Sequence, residues 1–532
     1  MTPLPRWVTN IRPTQTRAVE EIVEAFSLGA KVVFFDGPTG TGKTLIGELV
    51  RRELDEKGIY LCSSLTLQDQ TIRDFPYGKV IKGRSNYPTA YPPTMANECR
   101  GRKCGLCKNH FPDPDDPEDE YIERCKYRLA KAEAAWADLA ILNTTYLLYE
   151  ANGKSPVFSE NPFIIADECD MLESELMRYV ELRIPASIFR LLDIAPPKDR
   201  IHYTSIVKYL LGPTLHALKK TLEAVDPDSE QARELRRLQM KIKYTARHIN
   251  DGNWIRDTER GGLVMKPVSV APFAQTALWS HSGKWLCMSA TVINPAQMAA
   301  DLGLRDHEWE FVSAPMSFPV ENRPIHLALV ADMKRSNINE GARDAAYAIQ
   351  SICEAHEGER VLIHAVSYDL TRLLASHINT KRTVLYYTSA RERAKVLAQF
   401  RSTPNAMLIA PSLDRGVDLA GDECRVIVIA KVPFPNLGDK QVSSKLHAER
   451  GQEWYATETI RTIVQMTGRG VRSDTDHATT YILDSQFRRV WQQHKQSFPK
   501  WWRDAVNPAF RYSDLTPAIV AHYRAEGDQH DR

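Results

Sequence analysis

Short apolar runs, rich in β-branched and aromatic residues, recur along the first half of the chain, and apolar residues at helical spacing lie between them. Runs of this length are typical of strands that are buried on both faces of a parallel sheet. They lie at residues 31–35, 59–64, 139–145, 162–166 and 284–288. The pattern predicts an α/β domain built on a parallel sheet.

A second set of apolar runs follows from about residue 320 and predicts a second α/β unit. These runs lie at residues 360–364, 383–387, 406–410, 425–429 and 480–483. Between the two sets, residues 171–265 are rich in lysine and arginine and show helical spacing at 210–224 and 228–248. We therefore expect a mostly helical segment inserted into the first of two α/β domains.

The sequence GPTGTGKT at residues 37–44 follows the first apolar run and precedes a helical pattern. It matches the phosphate-binding loop G-x-x-x-x-G-K-[ST], in which glycines let successive backbone N–H groups face a phosphate. Lys43 is expected to contact the β- and γ-phosphates, and the Thr44 hydroxyl is expected to bind Mg²⁺. The predicted nucleotide-binding residues are Gly37, Gly40, Thr41, Gly42, Lys43 and Thr44. The sequence therefore predicts a nucleoside triphosphate site.

The apolar run at 162–166 ends in the acidic sequence DECD at residues 167–170. Residues that follow a strand of a parallel sheet lie at the same edge as a phosphate loop in such folds. We expect Asp167 to complete the Mg²⁺ shell and Glu168 to orient and deprotonate the attacking water.

The second unit has no phosphate loop of its own, but it contains GVD ending at Asp418 and QMTGRGVR starting at Gln465. Arg469 and Arg472 share one face of a helix at this spacing, and two aligned guanidinium groups can stabilise a transferring phosphoryl group. We predict that these arginines and Gln465 complete the catalytic site. Asp418 and Gln15 are predicted nucleotide contacts, with Gln15 reading the adenine edge.

Four of the nine cysteines crowd into one stretch with the spacing C-x4-C-x2-C-x17-C. They are Cys99, Cys104, Cys107 and Cys125. Four thiolates suit either Zn²⁺ or an iron–sulfur cluster, and the C-x-x-C unit by itself favours zinc. We expect a metal site of one of these two kinds.

The overall composition is ordinary for a globular protein of 532 residues with a net charge of +2. The near-neutral charge means that nucleic acid would bind at a local patch, for which the basic and aromatic sequence KGRSNY at 82–87 is a candidate. The chain has no apolar run of membrane-spanning length and its N-terminus lacks an apolar signal core. We expect a cytoplasmic protein without membrane contact.

These motifs together resemble the XPD/DinG group of superfamily 2 iron–sulfur DNA helicases, in the same order and over nearly the whole chain. The residues that carry the resemblance are Arg12, Pro13 and Gln15, residues 66–70, 82–87, 137–143, 289–291, 416–418, 433–435 and 465–472, Cys125, Tyr127, Ser367 and Tyr368.

The resemblance implies two RecA-like motor domains that use ATP and Mg²⁺ to move, usually 5′→3′, along single-stranded DNA. It implies a [4Fe–4S] cluster on the four cysteines, which reverses the preference for zinc. It also implies an Arch-like insertion and a setting in DNA repair. We expect single-stranded DNA and duplex junctions as partners of a monomeric motor, in a bacterial or phage-like rather than nuclear context. The expected DNA contacts are Lys82, Arg84, Asn86, Tyr87, Ser367 and Tyr368.

The expected domain boundaries follow from the same resemblance. Motor domain 1 takes residues 1–87, 129–170 and 266–318, the iron–sulfur domain 88–128, the Arch-like insertion 171–265, and motor domain 2 takes 319–532.

The sequence departs from the group at two sites of chemical interest. Cys99 follows Tyr87 at a greater distance than the group's first cysteine, and DECD replaces the sequence DEAH. Two alternatives stay open: an RNA-acting ATPase, since DECD also occurs in RNA remodelling enzymes, and a DNA-binding regulatory module with ATPase but no unwinding activity.

Overall fold

The computed structural model describes most of the chain. The described residues are 4–5, 8–90, 93–99, 125–153, 157–158, 162–197, 202–227, 229–249, 254–258, 261–411, 413, 419, 421–468, 470–471, 476–507 and 510.

The first domain begins with alternating helices and strands, as the apolar pattern predicts. In chain order these are α1 (Pro13–Ser27), β1 (Val32–Asp36), α2 (Lys43–Glu53), β2 (Gly58–Cys62), α3 (Leu65–Asp74), β3 (Lys79–Val80), β4 (Pro88–Ala90), β5 (Pro93–Met95), α4 (Lys126–Trp136), β6 (Leu139–Asn143), α5 (Thr144–Ala151) and β7 (Phe163–Asp167). Strands β4 and β5 form a separate antiparallel hairpin.

The inserted segment contains both helices and strands. Its elements are α6 (Leu172–Val180), β8 (Leu182–Ile184), α7 (Ala186–Leu191), α8 (Tyr203–Tyr209), α9 (Leu215–Ala224), α10 (Glu230–His248), β9 (Trp254–Asp257), β10 (Leu263–Pro267) and α11 (Ala271–Ala277). The three strands pair antiparallel in the order β8-β10-β9. The expectation of a helical insertion is therefore incomplete, because these strands are too short for their alternation to stand out beside the helical pattern.

The chain then returns to complete the first sheet with β11 (Trp285–Ser289), α12 (Pro295–Asp301) and β12 (Trp309–Ser313). The seven strands are parallel, in the order β12-β1-β11-β7-β2-β6-β3. All residues of β1, β2 and β11 are buried, which is why they appear as continuous apolar runs in the sequence. Because β11 lies between β1 and β7, the loops after these three strands meet at one edge.

The second domain repeats this architecture. Its elements are β13 (Ile325–Ala331), α13 (Ile338–Ala355), β14 (Val361–His364), α14 (Tyr368–His377), β15 (Val384–Tyr386), α15 (Arg393–Ser402), β16 (Met407–Ala410), β17 (Val426–Ile429), α16 (Lys440–Leu446), α17 (Gly451–Thr467), β18 (Thr479–Asp484), α18 (Phe487–His494), α19 (Lys500–Asp504) and β19 (Val506–Asn507). Its parallel sheet has the order β15-β16-β14-β17-β18-β13-β19.

Two parallel-sheet α/β domains of this kind confirm the predicted fold class of two RecA-like domains. Strands β12 and β13 were not predicted, because part-buried and exposed residues interrupt their apolar pattern. Among the described helices, none combines the length and the apolar character needed to cross a bilayer.

Candidate nucleotide site between the two domains

The phosphate loop connects β1 to α2. Gly40 and Gly42 adopt left-handed backbone angles, with φ of +82° and +79°, which favour glycine. A β-carbon on Gly37 would lie 2.8 Å from a ring carbon of Phe35, so this position lacks room for a side chain. Lys43 starts α2 and its Nζ donates a hydrogen bond to the Gly37 carbonyl at 2.9 Å. The lysine charge is therefore held across the mouth of the loop.

Two residues at the start of the first helix brace this loop from outside: Arg12, the N-cap residue of α1, and Gln15 in its first turn. Arg12 Nη2 donates to the Gly40 carbonyl at 2.8 Å, and Gln15 Nε2 donates to the Thr41 carbonyl at 2.9 Å. The Gln15 Oε1 atom accepts from the Arg12 backbone N–H at 3.0 Å. Gln15 is almost fully buried, so both ends of its amide contact protein. The role of Gln15 at the adenine stays a prediction. The sequence analysis named Arg12 only as part of the family resemblance and did not predict its contact with the loop.

The acidic motif lies two strands away from the loop. Asp167 is the last residue of β7 and pairs with Met288 of β11, while Asp36 at the end of β1 pairs with Ser289. Burial raises the pKa of the Asp167 carboxyl, and the nearby Lys43 ammonium opposes that shift. Lys43 and Asp167 thus face the same space, where Mg²⁺ and a triphosphate need a cation and a carboxylate.

Glu168 occupies an uncommon backbone conformation directly after β7. Its φ is +53°, in the left-handed region that few non-glycine residues adopt. Such outliers are concentrated at functional sites, where the surrounding structure holds them. The Glu168 backbone N–H donates to Asp167 Oδ1 at 3.1 Å, which fixes the turn between the two carboxylates.

Asp36 is a second carboxylate at the base of the loop, and sequence reasoning did not single it out. Its Oδ1 accepts from the Val292 backbone N–H at 3.2 Å. Burial raises the pKa of Asp36 to about 6, against the opposing effects of that N–H and of Lys43. The sequence feature that could have identified Asp36 is its position immediately before the phosphate loop.

Asp170 connects the acidic motif to both domains. Its Oδ1 accepts from the Ser289 hydroxyl at 2.9 Å, and its Oδ2 accepts from Gln465 Nε2 at 2.7 Å. Gln465 Nε2 also donates to the Thr291 hydroxyl at 3.0 Å. Gln465 lies near the end of α17 in the second domain, so a buried hydrogen-bond network joins the domains beside the nucleotide site. The final aspartate of DECD takes this connecting position.

A buried ionic contact continues the same interface. Lys445 Nζ lies 2.5 Å from Glu173 Oε1 of the insertion and 3.0 Å from Asp301 Oδ1 of the first domain. Its ammonium also lies 4.6 Å from the centre of the Trp454 ring. One turn before Gln465, the buried Arg461 pairs with Glu458. Helix α16 thus presents a basic side chain to two carboxylates across the interface.

Three predicted site residues, Arg469, Arg472 and Asp418, lie outside the described residues. The chain on either side of Arg469 nevertheless approaches the phosphate loop. A β-carbon on Gly468 would lie 3.8 Å from the Thr39 hydroxyl, and Val471 is buried against Phe318. Gly468 and Val471, the two ends of the glycine–arginine segment (residues 468–471), therefore lie against the first domain at the loop.

Two of the four clustered cysteines, Cys104 and Cys107, lie outside the described residues. Cys99 follows the β4–β5 hairpin and Cys125 caps α4 and bridges to Thr89 of β4. Both are half-buried, whereas the other described cysteines are buried in the protein core. Among the described residues no group of three or more potential ligands for a metal is found.

The predicted DNA-contacting residues 82–87 form a short surface turn. Arg84 and Asn86 are exposed, and the Arg84 guanidinium lies 5.0 Å from the centre of the Tyr127 ring. Tyr87 packs edge-on against Tyr127, and its hydroxyl accepts from the Lys82 backbone N–H at 3.0 Å. Lys82 pairs with a carboxylate of α3. Tyr87 thus packs against the protein, and the exposed side chains of this turn are those of residues 84–86.

The predicted contacts of the second domain follow β14. Ser367 and Tyr368 are exposed, and the Ser367 hydroxyl caps α14 by accepting from the Leu370 backbone N–H at 3.2 Å. The preceding Val366 has φ of +66°, which is a strained conformation for a β-branched residue. This turn presents both polar side chains to solvent.

Two family models match separate parts of the chain. The model of the type III restriction enzyme res subunit matches residues 9–191, and the model of the helicase C-terminal domain matches residues 349–505. The two matches fall on the phosphate-loop domain and on the domain that carries Gln465.

Curated relatives include the ATP-dependent DNA helicase YoaA of Escherichia coli, which is 25% identical over 50% of this chain and 42% of its own length. YoaA of Haemophilus influenzae is 22% identical over 57% of this chain and 47% of its own length. A probable ATP-dependent helicase of Methanocaldococcus jannaschii is 22% identical over 90% of this chain and 92% of its own length. The chain thus spans about half the length of the YoaA proteins it matches.

Solved structures with the same fold include one titled XPD helicase, with a TM-score of 0.63, 15% identity, and coverage of 92% of this chain and 98% of that chain. The structure of Xpd4 of S. tokodaii has a TM-score of 0.61 and 14% identity, and the match covers 93% of this chain and 99% of that chain. The fold is that of two RecA-like domains, with a phosphate loop in the first. The family models and the relatives make the chain similar to superfamily 2 helicases of the XPD/DinG type.

Proposed function

We propose that this protein is an ATP-dependent DNA helicase that moves 5′→3′ along single-stranded DNA as a monomer. The observation that carries the proposal is the network in which Gln465 of the second domain donates to Asp170 and Thr291 of the first. Such a network makes the geometry of the acidic motif depend on the distance between the domains. ATP hydrolysis can then be coupled to domain movement.

In the proposed reaction Glu168 accepts a proton from the attacking water as the water oxygen bonds to the γ-phosphorus. The bond from phosphorus to the bridging oxygen breaks, and ADP leaves with that electron pair. Thr44 and Asp167 would hold Mg²⁺, which neutralises phosphate charge when bound. Lys43 binds the phosphates, and Arg469 and Arg472 stabilise the charge that develops on the γ-phosphoryl group.

The proposed DNA path crosses both domains. Arg84 and Asn86 on the first domain and Ser367 and Tyr368 on the second are exposed polar and aromatic groups suited to phosphates and base faces. The net charge of +2 gives no general attraction to DNA, so these local contacts must supply the binding.

A [4Fe–4S] cluster on Cys99, Cys104, Cys107 and Cys125 is part of the proposal. The half-buried positions of Cys99 and Cys125 beside one hairpin fit thiolate ligands better than the buried core positions of the other described cysteines. When bound, the cluster would serve as a rigid structural element near the duplex junction.

The decisive experiment follows strand separation on duplexes with a 5′ or a 3′ single-stranded tail, together with ATP turnover stimulated by single-stranded DNA or RNA. We expect unwinding of the 5′-tailed duplex and stimulation by DNA. Stimulation by RNA alone would support the RNA-acting alternative, and turnover without strand separation would support the regulatory one. Either of these two results would overturn the helicase proposal.

The Glu168→Gln variant tests the chemical assignment. Because the amide cannot accept the proton of water, we expect turnover to fall by about 100-fold or more while ATP affinity is retained. Lys43→Ala is the control, since it should lose affinity as well. Near-normal turnover of Glu168→Gln would show that another group is the base.

A further inference from the structure

One aromatic side chain between the two domains packs on the phosphate loop. Phe318 lies in the segment between β12 and β13 and is only 6% exposed. A β-carbon on Gly40 would overlap Cζ of the Phe318 ring and would lie 2.6 Å from its Cε2. The tip of the ring is therefore in direct contact with the Gly40 backbone.

The same side chain contacts the second domain. Phe318 forms a buried cluster with Val471 and Ala478, and Met316 packs against this cluster. Val471 belongs to the glycine–arginine segment and Ala478 immediately precedes β18. One side chain thus connects the phosphate loop with the segment that contains Arg469 in the sequence.

Gly40 is fixed on two sides. Its carbonyl accepts a hydrogen bond from Arg12 at 2.8 Å, and Phe318 packs where a side chain would start. Packed protein interiors transmit small displacements because they contain little free space. A shift of Gly40 on phosphate binding must therefore move the ring, and the ring is packed against Val471.

We propose that Phe318 is a positioning residue that transmits nucleotide binding at the phosphate loop to the glycine–arginine segment of the second domain. The proposal rests on the proposed ATPase function and deepens it. Phe318 contacts no reacting atom; it acts by placing the segment that approaches the nucleotide. Without this contact, ATP binds the first domain but the second domain does not respond.

The experiment compares Phe318→Leu, which withdraws the ring tip from Gly40, with Phe318→Tyr, which adds an oxygen at Cζ where Gly40 leaves no room. Phe311→Leu is the matched control, because Phe311 is 39% exposed on the edge strand β12. Hydrogen exchange of peptides covering residues 37–44 and 468–480 is measured with and without ATP in full-length protein carrying Glu168→Gln. Turnover is measured in the same variants without that change.

We expect ATP to protect both peptides in the parent protein and in Phe311→Leu. In Phe318→Leu, ATP should protect residues 37–44 but not residues 468–480, turnover should fall about tenfold, and ATP affinity should change by less than about threefold. Phe318→Tyr should instead weaken ATP binding, because the added oxygen displaces the loop.

Protection of both peptides in Phe318→Leu with normal turnover would overturn the proposal. Loss of both protections together would also overturn it, since Phe318 would then only support the fold. Failure of the helicase proposal looks different: the parent protein would show ATP-dependent protection but no strand separation, and the role of Phe318 would survive. A parent protein without ATP-dependent protection would refute both.

Discussion

Asp36 places a carboxyl group in a buried position at the base of the phosphate loop. Its pKa is about 6 in the folded protein, above the ordinary value of 3.8, because burial disfavours the charged form. A carboxyl with a raised pKa adds stability when it is protonated. That contribution is fully present below about pH 4 and is lost as the pH rises through about 6.

Asp36→Asn should therefore change how stability depends on pH. Since two pKa units correspond to roughly 3 kcal/mol, we expect the variant to gain up to that amount relative to the parent between about pH 4 and pH 7. Urea denaturation at several pH values, without nucleotide, measures the difference. Asp422→Asn is the control, because the Asp422 side chain is 92% exposed. A difference that does not change with pH would contradict the buried-carboxyl assignment.

The residues of the site divide into those with local sequence signals and those without. Lys43 and Glu168 belong to contiguous motifs next to apolar runs, so spacing alone predicted where they lie. Arg12, Asp36 and Asp170 act through partners that are distant in sequence; Asp170 and Gln465, for example, meet only because two domains close. A pattern within one segment carries no information about such contacts.

At the scale of elements, helix α10 of the insertion holds the turn that leads to the cysteines. Arg233 donates one hydrogen bond to the Cys99 carbonyl and one to the Asn97 carbonyl, each at 2.7 Å. Two bonds from one planar guanidinium fix the orientation of that turn as well as its distance. The insertion and the cysteine segment are thereby joined through backbone contacts.

We expect Arg233→Ala to bind less metal than the parent protein, because the turn before Cys99 loses its fixed geometry. The parent should contain iron and sulfide near four each per chain, with visible absorbance; one zinc per chain would refute the cluster proposal. Arg236→Ala is the control, since Arg236 donates to the Pro227 carbonyl within the insertion. Equal metal content in the two variants would refute the role of Arg233.

Strands buried on both faces were predicted well, and strands with one solvent face were not. The strands of the two sheet centres are continuous apolar runs, whereas β8 alternates buried and exposed residues over only three positions. Such short alternation is indistinguishable from chance in a single sequence. The antiparallel sheet of the insertion is therefore recognised from the strand pairing in the structure and not from the sequence pattern.

At the scale of the whole molecule, α16 attaches the second domain to the first by contacts of unequal strength. Lys440 pairs with Asp257 of the insertion, but the two side chains are 58% and 33% exposed. Lys445 is 9% exposed between Glu173 and Asp301. Exposed pairs contribute little, while removing one member of a buried group leaves uncompensated charge.

Lys445→Met should therefore loosen the contact between the domains. We expect a cost of about 3–5 kcal/mol, seen as a lower denaturation midpoint and a larger radius of gyration in X-ray scattering without nucleotide. Lys440→Met is the matched control and should cost less than about 1 kcal/mol. Similar effects of the two variants would show that burial does not determine the strength of this interface.

The order of strands in the first sheet has a consequence for synthesis of the chain. Strand β11 lies between β1 and β7, yet it is made only after the whole insertion has been translated. Until then β1 has no strand partner on either side, β7 exposes one unpaired edge, and Ser289 is not available to Asp170. The nascent chain must therefore protect these open strand edges while the insertion is translated, and a pause before β11 would favour aggregation over assembly.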